Sequence, residues 1–183
     1  MSYEAALDKA WEDLEKAAAR ENYSVKLLGE TYALDINARK ACLLSTGLAP
    51  RDWLTVVLLH YLASSLKKGY SSSGEWISFK EIKGGDIYYP AFRQGVIKEI
   101  LKKYGDVPER LIVNLAHLGA KESKEGTMAV EFNAFPDVPV KVIVWRGDEE
   151  FGPEATILFD KNIEKLFSME DVAVFSRLIA RAL

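Results

Sequence analysis

This sequence predicts an α+β fold, with an antiparallel sheet covered by helices, and three observations predict it. Helical periodicity and strand alternation occupy separate runs of the chain rather than alternating as βαβ units. The strand-like runs are divided by short turn-forming pieces, as hairpins require. At 183 residues, 49% of them hydrophobic and 28% charged, the chain is long and apolar enough to bury one core, so residues 1–183 read as a single domain.

Each element has its own signal. Tyr3, Leu7, Ala10, Trp11, Leu14 and Ala18 share one helical face with acids and lysines opposite, which predicts an amphipathic first helix. YSVKLL, TYALDI and KACLLS, divided by Gly29-Glu30 and Asn37-Ala38, read as a small antiparallel meander. Pro50 opens a helix through about Leu66 that is apolar on nearly every side and therefore deeply buried. KKGYSSSGEW, from Lys67 to Trp76, reads as a mobile linker-like loop, and ISFKEI follows as a short element. After KGGD a helix runs from Ile87 or Pro90 to Tyr104, where Gly105 stops it, and Pro108 starts another that ends near Gly119. TMAVEFNAF, PVKVIVW and EATILFD are strands. Ser168 and Asp171 form a capping-box pattern for a last helix with Val172, Phe175, Leu178, Ile179 and Ala182 on its apolar face.

Composition excludes several classes. A net charge of -3 gives no basic surface to displace counterions from phosphates, so no nucleic acid is expected as a partner. The longest apolar run, WLTVVLLHYLA, falls short of the roughly 20 residues that span a bilayer. The acidic, amphipathic beginning of the chain is no signal peptide, and a cytoplasmic location is expected. Cys42 is the single cysteine, so the chain makes neither an internal disulfide nor a thiolate cluster of its own, and it reads as a small buried hydrophobe. One glutamine, Gln94, among many lysines and glutamates leans toward a thermophilic source.

Two stretches carry candidate chemistry. In VIVWRGDEEFGPEATILFD, the acids Asp148, Glu149, Glu150 and Glu154 follow Arg146 on a connection between two strands, the kind of place where sites sit on rigid scaffolds. Their spacing matches no calcium loop, and a solvated turn with Arg146 pairing one of the acids explains them as well. In EIKGGDIYYPAFRQ, Gly84 and Gly85 let the backbone approach a ligand ahead of a helix whose first-turn N–H groups favour an anion. Arg93 would serve that anion, with Tyr88 and Tyr89 as walls; the plainer alternative makes Asp86 the N-cap and the tyrosines core. Glu75 and Trp76 sit beside the serine loop as in a lid, and an ordinary surface loop with a core tryptophan is the simpler account. His60 reads as a buried histidine satisfied by one hydrogen bond and His117 as a helix-end cation, with no metal-binding or triad spacing around either.

LLHYL, GEWISFKEI, GGDIYYPAF and FPDVPVKVIVWRGDEEFGPEATILFD, followed by a capped last helix, resemble a family of uncharacterised domains of anaerobic bacteria and archaea, catalogued as domain of unknown function 3786. The resemblance covers nearly the whole chain and is strongest from Gly74 to Ile97 and from Phe135 onward. Some members carry an iron–sulfur module ahead of this domain, and the resemblance therefore implies a setting in anaerobic redox or cofactor metabolism. With Cys42 alone, any cluster here would come from a partner protein.

The expectation is a non-catalytic ligand-binding or accessory domain with an iron–sulfur or cofactor-handling partner. It would take a small anionic ligand through Glu75, Trp76, Gly84, Gly85, Tyr88, Tyr89, Arg93, Arg146 and Glu150. The alternative is an enzyme using paired carboxylates, metal-assisted or not, drawn from Glu75, Glu149, Glu150, Glu154 and Asp160. The residues name no cofactor and no metal.

Overall fold

The computed structural model describes residues 3–183. Helix α1 (Glu4–Glu15) buries Ala10, Trp11 and Leu14 on the predicted stripe. Strands β1 (Asn22–Leu27), β2 (Glu30–Asp35) and β3 (Lys40–Leu43) form the predicted meander as a separate three-stranded antiparallel sheet. Helix α2 (Asp52–Lys68) follows, with Val56 to Leu59 buried on successive sides.

The larger sheet has five antiparallel strands in the order β4-β8-β7-β6-β5. These are β4 (Trp76–Ser78), β5 (Lys121–Ser123), β6 (Met128–Phe135), β7 (Val138–Trp145) and β8 (Glu154–Asp160). The two sheets share one core, and a backbone hydrogen bond of 2.8 Å from Leu28 N–H to the Ala134 carbonyl joins them. The period-2 side-chain alternation is complete along β7. Val140, Val142 and Val144 point into the core, and Lys141 and Ile143 occupy the other face.

Between β4 and β5 lies a bent helical run. Helix α3 (Gly85–Phe92) leads into a π turn (Arg93–Ile97) and then α4 (Lys98–Tyr104). Pro90 cannot donate within α3, and at the π turn Lys98 N–H reaches the carbonyl of Arg93 instead of that of Gln94. The helix predicted from Pro108 to Gly119 is only α5 (Arg110–Asn114), followed by a 3-10 turn over Ala116–Leu118. Gly119 in the left-handed region ends it, as the sequence indicates. Another 3-10 turn, Lys161–Lys165, leads to α6 (Met169–Ala182), whose Ser168–Asp171 capping box forms as predicted. Among the described residues no helix is long and apolar enough to cross a membrane.

Candidate functional site

The serine loop is held in place. Asp160, the last residue of β8, is 2% exposed. Its Oδ2 accepts hydrogen bonds from Ser72 Oγ at 2.6 Å, Ser73 N–H at 2.8 Å, and Ser73 Oγ and Gly74 N–H at 3.0 Å. Its Oδ1 accepts from Asn162 N–H at 2.9 Å and Tyr70 Oη at 3.2 Å. Burial by itself would raise the Asp160 pKa, but these donors overcome it and hold the carboxyl below its ordinary value. Burial, and then the Asp160 charge, push the Tyr70 phenol up. The expectation of a mobile linker is therefore corrected: a buried carboxylate too far along the chain for sequence reading to connect to it supplies the anchor. Glu75, next in the chain, pairs with Lys161 at 2.7 Å on the surface.

Trp76 faces elsewhere than a lid would. On the sheet face away from the core, Lys141 lies in register with Glu131 on β6 and Leu158 on β8. Its ammonium, 6% exposed, meets Glu125 at 2.7 Å and Glu131 at 2.9 Å and lies 4.9 Å from the centre of the Trp76 ring. Burial works to lower the Lys141 pKa, and the bonds to Glu125 and Glu131 outweigh it and raise it. Hydrogen bonds from Lys141 and then Ser123 hold Glu125 down at about 2.

Gly84 has φ +84° and caps α3 through its backbone, so Asp86 is not the N-cap. Gly85 is needed for packing: a Cβ there would lie 1.9 Å from the Phe79 carbonyl oxygen. The pair of glycines thus brings α3 against the preceding 3-10 turn, Phe79–Glu81, whose Phe79 ring stacks on Phe92 at 4.1 Å. Tyr88 is exposed, while Tyr89 is half-buried beneath the Lys80 ammonium at 4.1 Å.

The two stretches singled out in the sequence do adjoin. Tyr89, Arg93 and Leu101, at helical spacing, form one wall of a cleft of about 90 Å³, and Pro153, Glu154 and Ala155 form the other. Arg93 is exposed and in no ion pair among the described residues. Glu75, Trp76, Gly84, Gly85, Tyr88, Arg146 and Glu150 do not line this cleft. Arg146 turns outward to pair with Glu109 rather than with its own loop. The acid loop is an Asx turn: Asp148 Oδ1 accepts from the N–H groups of Glu150 at 2.9 Å and Phe151 at 2.7 Å, which lowers its pKa. Glu149 and Glu150 are exposed.

Sequence reasoning missed one polar pair. His60 Nδ1 lies 2.9 Å from both carboxyl oxygens of Asp171, so the residue that caps α6 also binds α2. The capping spacing announces Asp171, but nothing local announces its second partner 111 positions away. His117 is exposed and bonds the Asn114 carbonyl, and Cys42 is half-buried on β3. Among the described residues no three His, Cys, Asp or Glu side chains gather to hold a metal ion.

An α+β domain with two antiparallel sheets, its buried charges satisfied and an unpaired arginine over a small cleft, defines a class but no reaction. The chain belongs to the family described as Domain of unknown function (DUF3786), whose model matches residues 8–182. Searches of curated proteins and of solved structures each gave no match.

Proposed function

We propose that this chain is a non-catalytic ligand-binding or accessory domain, and that the Arg93 cleft receives the anionic head group of its ligand. The observation that carries the reading is which charges are already satisfied. The carboxylates suited to acid–base work are exposed or tied: Glu75 to Lys161, Asp148 to its own turn, Asp160 to six donors. Arg93 is unspent and lies over a cleft. A guanidinium there offers a fork for a carboxylate or phosphate, and Glu154 on the facing wall would accept from a donor on the same ligand. At about 90 Å³ the cleft holds a head group and leaves the rest of the ligand outside, where a partner can handle it. On this reading the partner is an iron–sulfur or cofactor-handling protein of anaerobic metabolism, an expectation that rests on the family resemblance alone.

Native mass spectrometry on protein purified without oxygen tests this. The expected result is a reproducible added mass that disappears in Arg93→Ala. A bare chain at its calculated mass, or a set of adducts from which Arg93→Ala removes none, overturns ligand binding at this cleft.

A further inference from the structure

A second cavity, of about 200 Å³, opens where the beginning of the chain, the start of α2 and the outer side of α6 meet. Three arginines line it, Arg51, Arg177 and Arg181, together with the rings of Tyr3 and Trp53 and the side chain of Leu178. Among the described residues no aspartate or glutamate lines it. Among the described residues none of the three guanidinium groups is in an ion pair. The chain carries 27 acids against 24 lysines and arginines, so a cavity lined by three arginines runs against its net charge.

The three are placed from two directions. Arg177 and Arg181 are one turn apart on α6 and so stand side by side. Arg177 is positioned by the π turn, since its Nε lies 3.3 Å from where a Cβ on Gly95 would be. Arg51 comes from the residue before α2, in extended backbone at φ -66° and ψ 150°, and makes no side-chain cap to that helix. Asp52, the acid nearest in sequence, lines the neighbouring cleft with Arg39 and Lys40 instead.

Unpaired like charges held close together repel one another, and an anion of high charge density relieves this. A carboxylate is planar and is saturated by one or two guanidinium forks. A phosphoryl group presents three terminal oxygens in three directions, which suits two arginines from one helix and a third from a separate element. Trp53 and Tyr3 add a surface for an aromatic or apolar body.

We propose that this cavity binds the phosphoryl group of a small phosphate monoester, with Arg51, Arg177 and Arg181 on its oxygens and the ester's carbon body against Trp53 and Tyr3. The site is independent of the Arg93 cleft and stands or falls separately.

Calorimetric titration at constant ionic strength, with inorganic phosphate, phenyl phosphate, citrate and benzoate as probes, tests it. Phenyl phosphate binds saturably and more tightly than inorganic phosphate, and citrate and benzoate bind at least about tenfold more weakly than phenyl phosphate. Arg177→Ala and Arg181→Ala each weaken phenyl phosphate at least about tenfold, while Arg93→Ala leaves it unchanged. Arg177→Lys, which keeps the charge and loses the fork, also weakens it. All these side chains are exposed, so the variants keep the core, and unchanged far-ultraviolet circular dichroism verifies this. The proposal is overturned by no saturable binding of either phosphate, by citrate or benzoate matching phenyl phosphate, or by arginine variants that bind as the parent does.

Discussion

Ser72 and Asp160 stand 88 positions apart in the chain, and the serine hydroxyl donates to the carboxylate across 2.6 Å. This bond and its five companions turn a glycine- and serine-rich stretch into a fixed edge of the larger sheet. Asp160→Asn keeps the shape but replaces a charged acceptor by a weaker one carrying two donors of its own. We expect it to cost about 2–3 kcal/mol in denaturant unfolding, the scale of a buried bond to a charged group with its partners left poorly satisfied.

The same carboxyl sets a pH dependence. Its folded-state pKa is depressed, so its contribution is complete above the unfolded aspartate value near about 3.9 and is lost as pH falls through the lower folded value. The melting-temperature gap between the parent and Asp160→Asn should therefore be widest near neutrality and close as pH drops below about 4. A gap of constant size from neutrality to pH 3 would show that charge is not what anchors the loop.

Gly85→Ala places a methyl group 1.9 Å from the Phe79 carbonyl, a backbone atom that moves only with the whole 3-10 turn. A loss of at least about 2 kcal/mol is expected by equilibrium unfolding, as for overpacked cores. Gly84→Ala, with open space around it, meets only the strain of φ +84° and should cost about 1 kcal/mol.

Lys141 tests whether a buried cation stabilises or merely satisfies. Lys141→Met fills the same volume under Trp76, and Glu125 and Glu131, each partly exposed, turn to water. We expect a change below about 1.5 kcal/mol for Met and about 2–3 kcal/mol for Ala, which also empties the space. Thermal unfolding of the two variants side by side measures the difference.

Asp171 does two things at once, capping α6 and holding His60. Asp171→Ala should cost about 2–3 kcal/mol, more than Ser168→Ala at about 1 kcal/mol, because it leaves both the helix end and the histidine without their acceptor. Equal losses in chemical denaturation would mean that the His60 bond adds nothing.

What the sequence discloses is what neighbours in the chain decide. The stripe through Ala10, Trp11 and Leu14 and the three-residue spacing of Ser168 and Asp171 are local, and both elements stand where they predict. The strands around Val142 and Ile157 are legible for the same reason, since alternation or a short apolar run is read within one segment. Strand β5 is three residues long, too short to show a period. The Tyr70–Gly74 loop looks unstructured because its acceptor, Asp160, lies almost half the chain away. Gly85 resembles a ligand-approach glycine until the Phe79 backbone is seen against it. The site divides in the same manner. Tyr89, Arg93 and Glu154 are singled out by residue type, but their meeting is decided by the docking of the α3–α4 run on β8. Arg51, Arg177 and Arg181 come from elements with no sequence relation and gave no local sign.

The π turn at Arg93–Ile97 also acts as a phase setter. One helical residue corresponds to about 100° of rotation, so the extra residue in that turn fixes the angular position of everything after it. Removing Gln94 or Gly95 would leave a smoother helix and yet swing Ile100 and Tyr104, both now fully enclosed, around the axis and out of their sockets. Tyr104 would lose the Leu183 carbonyl and the Asn114 amide that its hydroxyl joins. The length of this segment is therefore less negotiable than the composition of its exposed part: substitutions at Arg93 or Gln94 change a surface, and a single deletion turns the helix's buried side toward water.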